Sequence, residues 1–196
     1  MATQLRVVSR LTAAAVSQEI VALWSRSDPD DRIDGFVVAV GAKWALIALT
    51  LDGGYFDGHE LVRIKNVRKV RHNRSFESRF SRTLPEWPPA PPATPEPIDL
   101  NSTRRMLRTA VPAGALIGIE CEHRPGMRNI GVVVDTTSQR IVLQEVDPHA
   151  AWIEGTRRWR IRRLVTVTLD DGYQRALAEL AGERPVESAQ VSPEAD

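Results

Sequence analysis

Two runs of cations are the strongest chemical feature of this 196-residue chain. Arg63, Lys65, Arg68, Lys69, Arg71 and Arg74 form the first, and Arg157, Arg158, Arg160, Arg162 and Arg163 the second. Groups of this kind, set close together, can hold successive phosphates of a nucleic acid with weak, sequence-tolerant and salt-dependent affinity. Arg63, Lys65, Arg68, Arg158, Arg160 and Arg162 are therefore the candidate nucleic-acid-binding residues. The same cations have a second use, which is to keep an exposed sheet edge from pairing with a wrong partner. Trp159 stands among the arginines and has a face that can stack on a base, but its alternation with Ile161 suits a core position.

Other reactive side chains are scattered. In Glu120-Cys121-Glu122-His123, successive strand residues point to opposite faces, so at most two of the four could share a metal, and Cys121 reads as a small core residue. Asp52-Gly53-Gly54-Tyr55-Phe56-Asp57-Gly58 lacks the acidic spacing of a calcium loop and reads as a hairpin turn. His59, His72, His123 and His149 fall on loops and strand ends, and no order of nucleophile, base and orienting acid is visible. These observations point to a non-catalytic binding or adaptor protein with no cofactor. Single-stranded RNA or DNA binding is the alternative, and an unrecognised enzyme is a second. An adaptor would meet an unknown protein partner, or a second copy of itself, through strand edges and apolar surface around Trp24 or Trp44.

Composition is that of a globular chain, with 42% hydrophobic and 26% charged residues and a net charge of +1. Residues 1–84 carry 13 Lys/Arg against 9 Asp/Glu, and residues 100–182 carry 12 against 9. The stretches between and after these two bodies are acidic. A mild cationic excess of this size permits polyanion binding without demanding it. One cysteine excludes an intramolecular disulfide, and no window approaches the roughly 18 apolar residues of a membrane span. Gln18 and Glu19 interrupt the Ala-rich start before a leader peptide could form. A cytoplasmic protein that avoids the membrane is expected.

The elements that would carry these residues fall into two sets. Proline fixes φ and removes amide donors, so Leu84 to Leu100, with its many prolines, is expected as an extended spacer. The expected organisation is residues 1–84 as a first domain, 85–99 as linker, 100–182 as a second domain and 183–196 as a disordered acidic tail. Shifted by 96 residues, Val21 to Leu23 meet Ile117 to Ile119, Pro29 meets Pro125 and Gly35 meets Gly131. After one extra residue near Pro148 the shift is 97, and Gly58 meets Gly155, Arg63 meets Arg160 and Ile64 meets Ile161. A duplicated fold follows. Each copy offers five short strands, among them the alternating run from Gly114 to His123, and then a short helix, over 74–83 and 171–181. Five such strands close best into a small barrel, so the expected class is all-β, as two tandem five-stranded barrels each followed by a helix.

Certain motifs resemble the Sm-like branch of the SH3-like small barrels. Ile33-Asp34-Gly35-Phe36-Val37 matches its first strand motif, and Asn129-Ile130-Gly131-Val132-Val133 follows the same outline. Val62-Arg63-Ile64 and Trp159-Arg160-Ile161 keep the Arg of the second motif but replace the Gly after it. Asp57-Gly58, four residues, then Arg63-Ile64 is similar to an uncharacterised bacterial group of Sm-like proteins. The resemblance implies tandem barrels that associate through strand edges, with Arg63 and Arg160 in a nucleotide pocket. The Asp and Asn that hold a base in RNA-binding Sm proteins are missing from Gly41-Ala42-Lys43 and Thr136-Thr137-Ser138.

Overall fold

The computed structural model describes residues 2–30 and 32–185. The acidic tail expected to be disordered lies largely outside them. The elements run α1 (Ala2–Ser17), β1 (Ile20–Ser25), β2 (Arg32–Val40), β3 (Trp44–Thr50), β4 (Phe56–Arg63), β5 (Val67–His72) and α2 (Phe76–Ser81), followed by α3 (Thr103–Ala110), β6 (Leu116–Cys121), β7 (Arg128–Thr136), β8 (Arg140–Val146), β9 (Arg157–Arg160), β10 (Leu164–Leu169) and α4 (Gly172–Ala181). Short 3-10 turns, Ile64–Asn66 and Ile161–Arg163, join β4 to β5 and β9 to β10. The second half thus repeats the first element for element. Its strands start where the shifts of 96 and 97 place them, except that β9 is shorter than β4.

The strands form one antiparallel sheet in the order β5-β1-β2-β3-β4-β10-β6-β7-β8-β9. This corrects the expectation of two closed barrels: the chain is mainly β, but among the described residues no ladder joins β4 to β5 or β9 to β10. The edge of the first half, β4, instead pairs with β10 of the second, setting Val62 opposite Thr166 and Leu61 opposite Val167. A bare edge is satisfied by a partner strand as well as by closure. Register shifts at Val37/Ala39 in β2 and Val133/Asp135 in β7 mark matching bulges, which bend a strand and raise its twist.

Two glycines make that bend possible. A Cβ on Gly35 would lie 2.3 Å from the Ala48 carbonyl oxygen, and one on Gly131 would lie 2.3 Å from that of Gln144. The neighbouring strand approaches so closely that only a hydrogen fits.

Two helices were not anticipated. α1 buries Val7, Leu11 and Ala14, one stripe of an amphipathic helix, against β2 and β5, in the segment whose Ala-rich run is considered above only as a leader. α3 buries Met106, Leu107 and Ala110 and is capped by Ser102, whose hydroxyl accepts from the Arg105 amide. The expected later helices are α2, capped by Ser75, and α4, which opens with a capping box between Asp171 and Gln174.

The largest core crosses from one half to the other. Trp44, Leu46 and Leu61 pack with Ile117, Ile119, Cys121, Leu143, Trp159 and Val167. Buried Trp and Leu side chains contribute roughly 1.5–3 kcal/mol each, so this cluster binds the halves together whatever the segment between them does. That segment does not stand clear of the sheet. Trp87 packs edge-on against Phe36 at 5.1 Å and near-parallel to Phe56 at 6.2 Å, and His59 Nε2 lies 2.9 Å from the Ala90 carbonyl oxygen. Among the described residues, no helix is long and apolar enough to cross a membrane.

Trp159 is fully buried, and its indole Nε1 donates to Glu145 Oε1 at 2.8 Å. Glu145 is itself only 4% exposed. Burial raises the pKa of its carboxyl; the Trp159 hydrogen bond and the charges of Arg157 and Arg124 offset part of that. The folded protein therefore holds this proton more tightly than the unfolded chain. Stability falls as pH rises through the interval between the ordinary and the raised pKa.

Two predictions follow from the packing. Gly131→Ala is expected to cost about 1–3 kcal/mol, seen as a lower melting temperature at unchanged far-ultraviolet dichroism; a melt equal to wild type would show the strands have room. Glu145→Gln keeps the acceptor for Trp159 and removes the titration. The wild type's stability relative to this variant should decline on going from about pH 4 to pH 8, and a flat difference across a series of denaturant melts would refute the assignment.

Candidate functional site: a cationic cleft between the two halves

Antiparallel hairpins bring the β2–β3 turn and the first 3-10 turn to one end of the first half, where the Ile64 amide donates to the Lys43 carbonyl at 2.9 Å. The second half repeats the tether, with the Ile161 amide donating to the Gln139 carbonyl at 2.9 Å. Because β4 lies beside β10, these ends adjoin and enclose a cleft of about 680 Å³. Among the described residues six cations line it, Lys43, Arg63, Arg104, Arg140, Arg160 and Arg162, together with Ser102, Thr103, Ser138, Gln139 and Ile161 and no carboxylate. The first turn of α3 lies in this wall, adding the partial positive charge of a helix start.

Arg63 closes the base of the cleft. Its Nη1 donates to the carbonyls of Arg162 at 2.5 Å, Leu164 at 3.2 Å and Ile161 at 3.3 Å, so it caps the second half's 3-10 turn from the first half's last strand. The guanidinium also sits 5.7 Å from the centre of the Trp44 ring. Burial lowers its pKa and the Glu122 charge partly restores it, a shift too far from neutrality to discharge an arginine. Trp44 beneath it is fully buried and donates through Nε1 to Thr103 Oγ1 at 3.1 Å. This overturns the expectation that Trp44 presents an apolar surface to a partner: a large ring whose single donor finds a buried hydroxyl is more stable inside. Trp24 remains half-exposed, with Lys69 Nζ 4.2 Å from its centre.

Of the six residues singled out in the sequence, Arg63, Arg160 and Arg162 come together here. The other three point elsewhere. Lys65 Nζ is bonded to Glu122 Oε1 at 2.6 Å, Arg68 donates to the Pro29 carbonyl at 3.2 Å, and Arg158 lies on β9 opposite Val142. Burial alone would raise the Glu122 carboxyl, but hydrogen bonds from Lys65 and Asn66 and the charges of Lys65 and Arg63 hold it below its ordinary pKa. Lys43, Arg104 and Arg140 were missed. Lys43 stands in a turn notable in sequence only for lacking base-holding residues, and Arg104 belongs to α3, which the strand pattern does not announce. The signal for that helix was present, since Leu107 and Ala110 stand 96 residues after Leu11 and Ala14.

No family model, curated protein or solved structure matches this chain.

Arg63→Ala should destabilise the fold itself, by about 1.5–3 kcal/mol for charge-assisted bonds, at the lower end here because the group is partly solvated. Arg104→Ala provides the comparison from the same cleft. Chemical denaturation checks this, and equal midpoints for Arg63→Ala and wild type would mean the carbonyl contacts contribute nothing.

Proposed function

We propose that the protein is a non-catalytic binding protein built from two Sm-like units, and that its cationic cleft holds the phosphates of single-stranded RNA or DNA. The observation that carries this reading is the cleft's lining, to which both halves bring cations, among them Lys43, Arg63, Arg104 and Arg162, with no carboxylate among the described lining residues. Cations gathered in one concave surface raise the local concentration of anions there. The two-unit reading is supported by the repeated strand order, by the 3-10 turn before the last strand of each half and by the paired glycines Gly35 and Gly131. Phosphate contacts without base-holding side chains give affinity that tolerates sequence.

A second reading, the protein-interaction adaptor, is favoured by a different observation. β5 and β9 end the sheet, and among the described residues neither has a strand on its outer side.

Titration of labelled oligouridylate at two salt concentrations tests the first reading. Wild type should bind at low salt, and the double variant Arg104→Ala, Arg162→Ala should bind more weakly. Its slope of log affinity against log salt should fall by about 0.7 for each phosphate contact removed. Binding that is absent at low salt, or equal in wild type and variant, overturns the nucleic-acid reading.

A further inference from the structure

The geometry points to the outer edge of β5 as a docking site for an extended acidic peptide of another protein, which adds to the sheet as an eleventh strand. This surface is separate from the cationic cleft.

β5 pairs with β1 in a register that sets Val21 opposite His72, Ala22 opposite Arg71, Leu23 opposite Val70 and Trp24 opposite Lys69. One step beyond, the Asn73 amide donates to the Ile20 carbonyl at 2.8 Å. Hydrogen-bonded and non-bonded pairs alternate along an antiparallel ladder. Arg71 and Lys69 therefore bond inward to β1, and the amides and carbonyls of Val70 and His72 point outward. The Val70 carbonyl has found a side chain there: Arg10 of α1 donates to it at 3.1 Å.

The same edge is already used once in this molecule. β10 stands in the second half where β5 stands in the first, and it receives β4 with Leu61 opposite Val167 and His59 opposite Leu169. Val167 and Leu169 correspond to Val70 and His72 after the shift of 97 residues. The edge is thus shaped to take an antiparallel strand, and the fold tolerates one there.

Charge decides what kind of strand. β10 is Leu-Val-Thr-Val-Thr-Leu, without a charge, whereas β5 carries Arg68, Lys69, Arg71 and His72. A groove of about 510 Å³ beside β5 has Arg10, Lys69, Arg71, His72 and Arg74 in its lining and no acid among the described lining residues; Glu19 lies 2.6 Å from His72. A second copy does not fit. Among the described residues the other open edge, β9, is Arg157-Arg158-Trp159-Arg160. Docked in the register of β4 on β10, it would set Arg157 opposite Arg71, and like charges directly opposite destabilise a pair. An acidic strand gains where β9 loses. Glu or Asp at two alternate positions would stand opposite Lys69 and Arg71, in non-bonded pairs where side chains lie closest, with a β-branched residue between them opposite Val70. Arg10 would exchange the Val70 carbonyl for the incoming carboxylates. In the second half Met106 occupies the place of Arg10, fully buried, and leaves the Val167 carbonyl to β4.

The test uses the full chain and a fluorescein-labelled peptide, acetyl-Thr-Glu-Val-Glu-Val-Thr-amide, in moderate salt. Binding is expected, with the Val70 and His72 amides protected from hydrogen exchange in the complex. The Lys69→Glu, Arg71→Glu double variant should lose about tenfold or more in affinity and gain affinity for the same peptide with Lys at both Glu positions. Methylating the peptide amides that face β5 should abolish binding, and Arg104→Ala, Arg162→Ala should leave it unchanged. Any of four results overturns the proposal. Binding may survive methylation, which would reduce it to charge alone. Exchange protection may fall elsewhere than Val70 and His72. Oligouridylate may displace the peptide and be lost in the Lys69→Glu, Arg71→Glu variant, which makes the groove a nucleic-acid site. Sedimentation may show an oligomer that this variant dissociates, which makes a second copy the occupant. Failure of oligouridylate to bind the cleft does not bear on this peptide assay, so the two readings fail separately.

Discussion

Everything in this molecule depends on the ladder between β4 and β10. It converts two five-stranded halves into one sheet, and it places the ends of both halves side by side. Main-chain bonds alone would permit slippage, since a one-residue shift merely turns a strand over. Here the register is pinned at one end by Arg63 on three carbonyls of the opposite half, and at the other by Asp57. The Asp57 carboxylate accepts from the Gly172 amide at 2.7 Å and from Arg175 at 2.9 Å. Between these anchors lies the shared core of Trp44, Leu61, Ile119 and Val167. The cleft is a by-product of that junction: without it, Lys43 and Arg63 would not face Arg160 and Arg162.

The charges are sorted by the same junction. β4 contributes Asp57 and Glu60 to the inner seam, where partners are at hand, and β10 is neutral along its whole length. The cations gather on β5, on β9 and around the cleft. Over the residues that pair across the seam, His59 to Val62 and Thr166 to Leu169, the inner edges carry no Lys or Arg, and the terminal strands β5 and β9 are basic. Arg63 and Arg162 thus stand at the junction and the cleft, while Arg68, Lys69 and Arg158 lie on the terminal strands.

Much of this was legible in the sequence because duplication doubles weak signals. Gly35 and Gly131 have no special neighbours in sequence, yet their recurrence at equal spacing marks a position where two backbones touch. The alternation of Ile117, Ile119 and Cys121 identified one buried face, and all three are nearly inaccessible. Association of the copies through strand edges is implied by the resemblance; what escaped was which strands meet and which side chains that contact engages. Nothing in Phe56–Arg63 says that it will pair with residues a hundred positions later, so each half was expected to close on itself. Arg63 was selected for its charge, but its service to three carbonyls comes from a turn in the other half. Trp44 misled because an apolar ring near a turn looks like surface until α3 supplies Thr103 as its partner. Proline content identified the connecting segment correctly as irregular, but could not show that Trp87 would lie against Phe36 and Phe56.

The β4–β10 pairing also sets a timetable. β4 is complete at Arg63 and its partner only at Leu169, so a ribosome adding about 5–20 residues per second leaves that edge without its strand for roughly 5–20 seconds. During that wait the first half has its own strands and α1 but exposes a β edge beside the side chains of Trp44 and Leu61. Asp57 and Glu60 suit this interval, because acidic side chains on a waiting edge discourage pairing with another nascent copy. The residues that later anchor the seam therefore also protect it before its partner exists.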